Sequence, residues 1–153
     1  MNNYLQLMED AASYIHEARP KLDTPEAIAD FLRPILADRE QECMVVVLLD
    51  TKYQAIGVET VHVGTADRCM AHPRDIFRAA VRSNAFAIVM AHNHPTGDPA
   101  PSSQDRRVTQ KIFDAGELLG IKLVDSLIIG KRTPERYADY VSFRESVCPE
   151  LWN

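Results

Sequence analysis

The chain has 153 residues, 46% apolar and 25% charged, a profile typical of one globular domain and not of a disordered chain. Its net charge of −5 gives no general attraction to nucleic-acid phosphates, and no run approaches the roughly 18 apolar residues of a membrane span. With scattered cysteines, no CxxC spacing and no signal peptide at its start, the chain is predicted to be cytoplasmic, with reduced thiols and no zinc knuckle.

The N-terminal half combines helical spacing with two short apolar runs. Thr24 as an N-cap and Pro25 at the first helical position mark the start of one helix. The valine-rich run CMVVVLL indicates a strand buried on both faces. We predict, in order, a helix over 3–18, a helix from 24 to about 37, a buried strand over 43–49 and a hairpin partner over 55–63. Residues 1–22 are interpreted as a helical arm, and residues 23–153 as the domain.

The C-terminal half alternates helices and strands. Pro73 and Asp75 open one helix, and Gly120 is well placed to end another. We predict, in order, a helix over 72–84, a buried strand over 86–91, a loop over 92–101, a helix over 102–119, a strand over 122–130 and a short strand over 140–143. This interleaving predicts an α/β layered domain.

The most informative stretch is AHNHPTGDPAPSSQD, residues 91–105. Side chains alternate along a strand, so His92 and His94 project to one side. Ser102 and Asp105 have the spacing of an N-terminal capping box, which brings the carboxylate of Asp105 to the two imidazoles. The alternative interpretation is a polar strand end with solvated histidines and an aspartate that only caps a helix.

Two imidazoles and one carboxylate are a ligand set that zinc accepts with its fourth position left to water, as in catalytic sites. Iron and manganese accept the same ligands. Zinc nucleobase deaminases and thermolysin-like proteases are excluded because the chain has neither H-x-E with P-C-x-x-C nor H-E-x-x-H. The letters HNH are poor support for a nuclease finger, whose residues are spread more widely.

His92, His94, Pro95, Ser102 and Asp105 match the motif H-x-H-P-x6-S-x2-D of the JAMM (JAB/MPN) zinc metalloproteases at every fixed position. The surrounding HNHPTGDPAPSSQD resembles the RadC-like JAB branch of that family. HPRDIFRAAVRSNA, AGELLGIKLVD and VETVHVGT resemble it as well, so that the likeness covers about residues 25–145.

The resemblance implies a three-layer α/β/α fold with a mixed sheet, similar to cytidine deaminases. It implies hydrolysis of a peptide or isopeptide bond, with one Zn²⁺ per chain bound by His92, His94 and Asp105. Ser102 would help to stabilise the oxyanion. Such enzymes also need an upstream glutamate as the base. Glu42 is our choice because the family places this residue just before the apolar strand, and Glu40 and Glu59 are the alternatives.

Two departures from the family stand out. We expect this chain to lack the N-terminal helical domain of long RadC-like proteins, and Val124-Asp125-Ser126 stands where the family often has Leu-Asp-His. The expected partner is a peptide or protein-conjugate substrate of unknown identity. The oligomeric state is left open, and direct nucleic-acid binding is disfavoured by the charge. Two alternative functions remain: a DNA-repair or mobile-element accessory protein, and a peptide-binding scaffold with the same fold.

Overall fold

The computed structural model describes residues 19–64 and 71–153, together with the isolated positions 5, 6 and 9. The helix predicted over 3–18, and with it most of the arm over 1–22, lies outside the described residues. The elements, in chain order, are α1 (Pro25–Leu36), β1 (Cys43–Leu49), β2 (Ala55–Val63), α2 (Pro73–Arg82), β3 (Ala87–Asn93), α3 (Ser103–Leu119), β4 (Lys122–Ile129) and β5 (Tyr140–Ser142), followed by a π-helical turn (Phe143–Val147) and a 3-10 turn (Pro149–Leu151).

Local capping explains where the helices begin and end. The Thr24 hydroxyl accepts a hydrogen bond from the backbone N–H of Ala27, and Pro25 occupies the first position of α1. Gly120 ends α3 with a φ of 71°, a left-handed conformation that glycine adopts without a Cβ clash. Both predicted helix boundaries are thereby confirmed.

The described strands form one mixed sheet in the order β2-β1-β3-β4-β5. β2, β1 and β3 pair antiparallel, β3 and β4 pair parallel, and β5 pairs antiparallel with β4. The parallel pair is joined by α3, as a parallel connection requires a crossover. α1 packs on one face of the sheet, and α2 and α3 pack on the other, which confirms the α/β/α architecture. None of the helices in the described ranges is long and apolar enough to cross a membrane.

Side chains of β3 alternate between two separate cores. Ala87, Val89 and Ala91 face the core that includes α1, whereas Ile88 and Met90 face the core that includes α2 and α3. By the same alternation the next residue, position 92, faces the α2 and α3 side, and position 93 faces the α1 side. The end of β3 therefore presents side chains to both layers.

β3 ends later than we predicted. The strand over 86–91 was expected to give way to a loop at 92, but the ladder continues to Asn93. Met44 of β1 pairs with His92, and Ile129 of β4 pairs with Asn93, so that backbone groups on both sides hold these two residues in the strand. The loop prediction is wrong at 92 and 93 because paired neighbours outweighed the local polar composition.

Candidate metal centre

A cleft of about 730 Å³ lies where β1 begins and β3 ends, beside the starts of α2 and α3. Apolar and polar groups both line it: Glu42, Met44, Val61, His62, Ala71, His72, Asp75, Met90, His92, His94, Pro95, Thr96, Ser102, Ser103, Gln104, Asp105, Arg107, Val108, Thr109 and Ser126. The residues singled out from the sequence, Glu42, His92, His94, Ser102 and Asp105, are all among them.

Two imidazoles and one carboxylate converge in this cleft. The Nε2 atoms of His92 and His94 lie 3.2 Å apart. The Asp105 carboxylate places one oxygen 3.3 Å from His92 Nε2 and the other 3.5 Å from His94 Nε2. Bonds of about 2.0–2.1 Å to a tetrahedral zinc ion would separate neighbouring ligand atoms by roughly 3.3–3.4 Å. The donor set and its spacing therefore fit a zinc-sized cation.

Glu42 is the upstream glutamate that the structure brings to this group. One of its carboxylate oxygens lies within 4.8 Å of ligand nitrogens of both His92 and His94. It stands just before β1 and lies on the same face of the sheet as His92. Glu40 is exposed and Glu59 lies on β2, and neither lines the cleft. Glu42, His92 and His94 are positioned to bind a metal ion.

A capping box orients the Asp105 carboxylate. The Ser102 hydroxyl accepts a hydrogen bond from the Asp105 backbone N–H at 3.0 Å, and Asp105 Oδ2 accepts one from the Ser102 N–H at 2.8 Å. The oxygen that caps the helix is the same oxygen that faces His94. The start of α3 therefore fixes the carboxylate in the cleft through its own backbone.

The two imidazoles are held by different contacts. His94 Nδ1 lies 2.8 Å from the carbonyl oxygen of Asp98. A carbonyl only accepts, so Nδ1 carries the hydrogen, and in the neutral ring Nε2 keeps its lone pair for the cleft. His92 is only 3% exposed, and its Nδ1 is buried without a hydrogen-bond partner in the described part of the chain.

Charge in this group favours a cation. Burial raises the pKa of the Asp105 carboxyl, but hydrogen bonds with His92 and His94 outweigh burial and hold that pKa well below its usual range. The hydrogen bond with Asp105 raises the pKa of His94 in turn, against a smaller opposing effect of burial. A carboxylate that stays ionised beside two imidazoles places negative charge at the site, and a bound cation would stabilise that charge.

Asn93 has a role that the sequence reasoning missed. Its Oδ1 accepts from the backbone N–H of Cys43 at 2.6 Å, and its Nδ2 donates to the carbonyls of Gln41 and Arg39 at 3.1 and 3.3 Å. These bonds tie the segment that carries Glu42 to the end of β3. The sequence feature that could have shown this role is an amide side chain at a β3 position facing the α1 layer, where the other β3 residues are apolar.

His62 and His72 line the same cleft but are exposed. His72 is the N-cap residue of α2 and makes no side-chain capping bond. Cys43 is buried and packs in the core that includes α1.

Comparison with known proteins gives a consistent result. A family model described as RadC-like JAB domain matches residues 22–148. A UPF0758 protein of Thermotoga maritima is 49% identical over 106 residues, which are 69% of this chain and 45% of that relative. A UPF0758 protein of Symbiobacterium thermophilum is 42% identical over 127 residues, 83% of this chain and 52% of the relative. A UPF0758 protein of Methanosarcina mazei is 34% identical over 125 residues, 82% and 55% respectively. The chain spans about half the length of the curated relatives it matches.

Proposed function

Because this chain belongs to the RadC-like JAB domain family, we propose that it is a zinc-dependent hydrolase of the JAMM type that cleaves a peptide or isopeptide bond. The observation that carries the proposal is the convergence of the two imidazoles and the Asp105 carboxylate at 3.2–3.5 Å, with the Glu42 carboxylate beside them. If the two histidines had only a structural role, a second acidic side chain beside them in an open cleft would not be required.

His92, His94 and Asp105 would hold the ion, and three protein ligands are the number typical of catalytic zinc sites. When bound, a divalent cation supplies Lewis-acid activation of a water molecule and of a substrate carbonyl. Two nitrogen ligands and one oxygen ligand favour zinc, and they are also compatible with iron or manganese.

The chain's own residues supply the proton transfers and the orientation. Glu42 acts as the general base that takes a proton from the attacking water and returns it to the leaving amine nitrogen. The Ser102 hydroxyl accepts from the Asp105 N–H, which leaves its own hydrogen to donate to the substrate oxygen where negative charge develops. The substrate is proposed to be a peptide or a protein conjugate that lies in the cleft.

The first test is metal content, measured by mass spectrometry on the purified protein and on a His92→Ala/His94→Ala double variant. We expect about one zinc ion per chain in the protein and none in the variant, with both folded. A folded protein that takes up no zinc, even after incubation with it, would overturn the proposal in favour of a peptide-binding scaffold.

The second test assigns the base. Glu42→Gln should keep the metal and lose hydrolysis of fluorogenic peptide and isopeptide pools, since the amide cannot accept the proton. Glu40→Gln and Glu59→Gln are the matched controls, and both should keep the activity of the unchanged protein. Full activity in Glu42→Gln would contradict the assignment of the base without affecting the metal site.

A further inference from the structure

We propose that Arg136, which lies outside the cleft, is a positioning residue for His94. The inference rests on the proposed metal site and adds to it a residue that acts through the loop over 95–101, here called the site loop. His94 stands just after β3, and its backbone N–H donates to the carbonyl of Ile129 at 3.0 Å. Its ring is oriented by the hydrogen bond to Asp98, so that the ring direction depends on where the site loop holds that carbonyl.

The carbonyl of Gly97, one residue before Asp98, is the anchor of the site loop. It accepts from the backbone N–H of Lys131 at 2.7 Å and from Arg136 Nη2 at 2.7 Å. The same Nη2 atom donates to the carbonyl of Lys131 at 2.9 Å. One guanidinium nitrogen therefore joins the site loop to the segment that follows β4.

The site loop and the segment after β4 are closely packed, so a small shift of either segment would disturb the hydrogen bonds of the Gly97 carbonyl. A Cβ placed on Gly130 would lie 2.2 Å from the Gly97 carbonyl oxygen, so the two segments touch backbone to backbone. Gly97 itself has a φ of 89°, which a residue with a side chain rarely adopts. The turn over 94–98 thus has little freedom to compensate for a lost hydrogen bond.

The backbone of Arg136 is fixed as well. Its N–H donates to the Thr133 hydroxyl at 3.0 Å, and its carbonyl accepts from the Thr133 N–H at 2.8 Å. The side chain is 30% exposed, and its Nη1 lies 4.0 Å from Asp98 Oδ1. Its hydrogen bonds and its ion pair are with the site loop and its own segment rather than with the imidazoles, so the effect on His94 passes through the backbone of residues 97 and 98.

The experiment compares Arg136→Met with the matched variant Arg132→Met by zinc titration calorimetry. Both changes remove one positive charge from the same segment, but Arg132 faces Asp139 and Tyr137 rather than the site loop. We expect Arg136→Met to weaken zinc binding by about tenfold, at the low end for outer-shell partners, and Arg132→Met to leave it unchanged. Arg136→Lys, which restores a donor, should recover part of the loss.

A spectroscopic readout on the metal-free protein separates this inference from the metal proposal. Long-range ¹H–¹⁵N correlation should show the hydrogen of His94 on Nδ1, and Arg136→Met should shift that population while exposed His62 stays unchanged. Unchanged affinity and tautomer in Arg136→Met, or equal losses in both Met variants, would overturn the role of Arg136. If the unchanged protein bound no zinc, the proposed function would fail, and the tautomer comparison would still decide the present inference.

Discussion

The candidate metal centre has two halves that are built differently. The strand half consists of His92 and Asn93 at the end of β3, and both residues are almost fully buried, at 3% and 2% exposure. The loop half consists of His94 and Asp105, whose side chains are 20% and 17% exposed. Sheet pairing and burial hold the strand half, whereas side-chain bonds to nearby backbone hold the loop half.

The two halves are expected to contribute differently, the strand half mainly to the stability of the fold and the loop half mainly to metal binding. Groups in the strand half are part of the packed interior, where an unpaired polar atom costs free energy of unfolding. Groups in the loop half lie on the surface of that interior and mainly set the direction of the metal-facing atoms. We therefore expect changes in the strand half to lower the free energy of unfolding, and changes in the loop half to lower metal affinity at smaller cost in stability.

The largest expected effect is that of Asn93→Leu. This change removes the amide that bonds the Cys43 N–H and the carbonyls of Gln41 and Arg39. We expect a loss of about 3 kcal/mol in the free energy of unfolding, measured by urea denaturation without metal. Ser103→Ala, an exposed change at the start of α3, is the control. A loss for Asn93→Leu no larger than the control's would show that the strand half is not anchored by these bonds.

A metal-dependent gain in stability should come next. Zinc that binds only the folded chain raises the free energy of unfolding by about 2.7 kcal/mol at a free concentration of about 100 Kd. His94→Ala should abolish this gain and keep the metal-free stability nearly unchanged, since its side chain belongs to the loop half. A large metal-free loss in His94→Ala would break the distinction between the halves. Urea denaturation with and without zinc measures both quantities.

Removing the cap of α3 should have a moderate effect. Ser102→Ala takes away the acceptor for the Asp105 N–H, and we expect a loss of about 1 kcal/mol in the free energy of unfolding. Ser102→Gly should cost only a few tenths of a kcal/mol, because glycine is itself a tolerated N-cap. Equal losses in both variants, measured by urea denaturation, would mean that the hydroxyl contributes through something other than capping.

The smallest expected effect is a pH dependence of the free energy of unfolding that arises from the loop half. It is measured on protein from which a chelator has removed metal. The lowered pKa of Asp105 adds stability that is lost as pH falls below about 4, and the raised pKa of His94 adds stability that is lost as pH rises above about 6.5. The stability difference between the protein and Asp105→Asn should therefore be greatest between about pH 4 and 6.5. Urea denaturation at three pH values tests this, and a difference that is flat across them would contradict it.

Most of the fold was readable from the sequence because its signals are local. Thr24, Pro25 and Gly120 mark helix ends through their own backbone preferences. The runs at 43–49 and 55–63 form strands with the predicted bounds because their composition and length suit a buried ladder. The extension of β3 to Asn93 was missed since it depends on partners in β1 and β4, which lie far away in the chain.

The site divides in the same way. Fixed spacing from His92 to Asp105 allowed the cluster to be proposed, and the structure brings these side chains together with Glu42. The supporting contacts were not readable, because Asn93 and Arg136 act on backbone groups whose neighbours only the folded chain defines. Sequence spacing predicts which groups meet within one segment, and tertiary contact decides what holds them there.

The alternation of β3 limits how this chain can change in length. His92 and Asn93 are neighbours that serve opposite faces of the sheet, so one inserted residue earlier in the strand would exchange their faces. The imidazole would then enter the α1 layer, and the amide would enter the cleft. An insertion of two residues would restore the faces but slide the pairing with β1 and β4. This strand can therefore accept substitutions on one face at a time. It cannot accept insertions or deletions, which would exchange the faces of His92 and Asn93 or shift the pairing register.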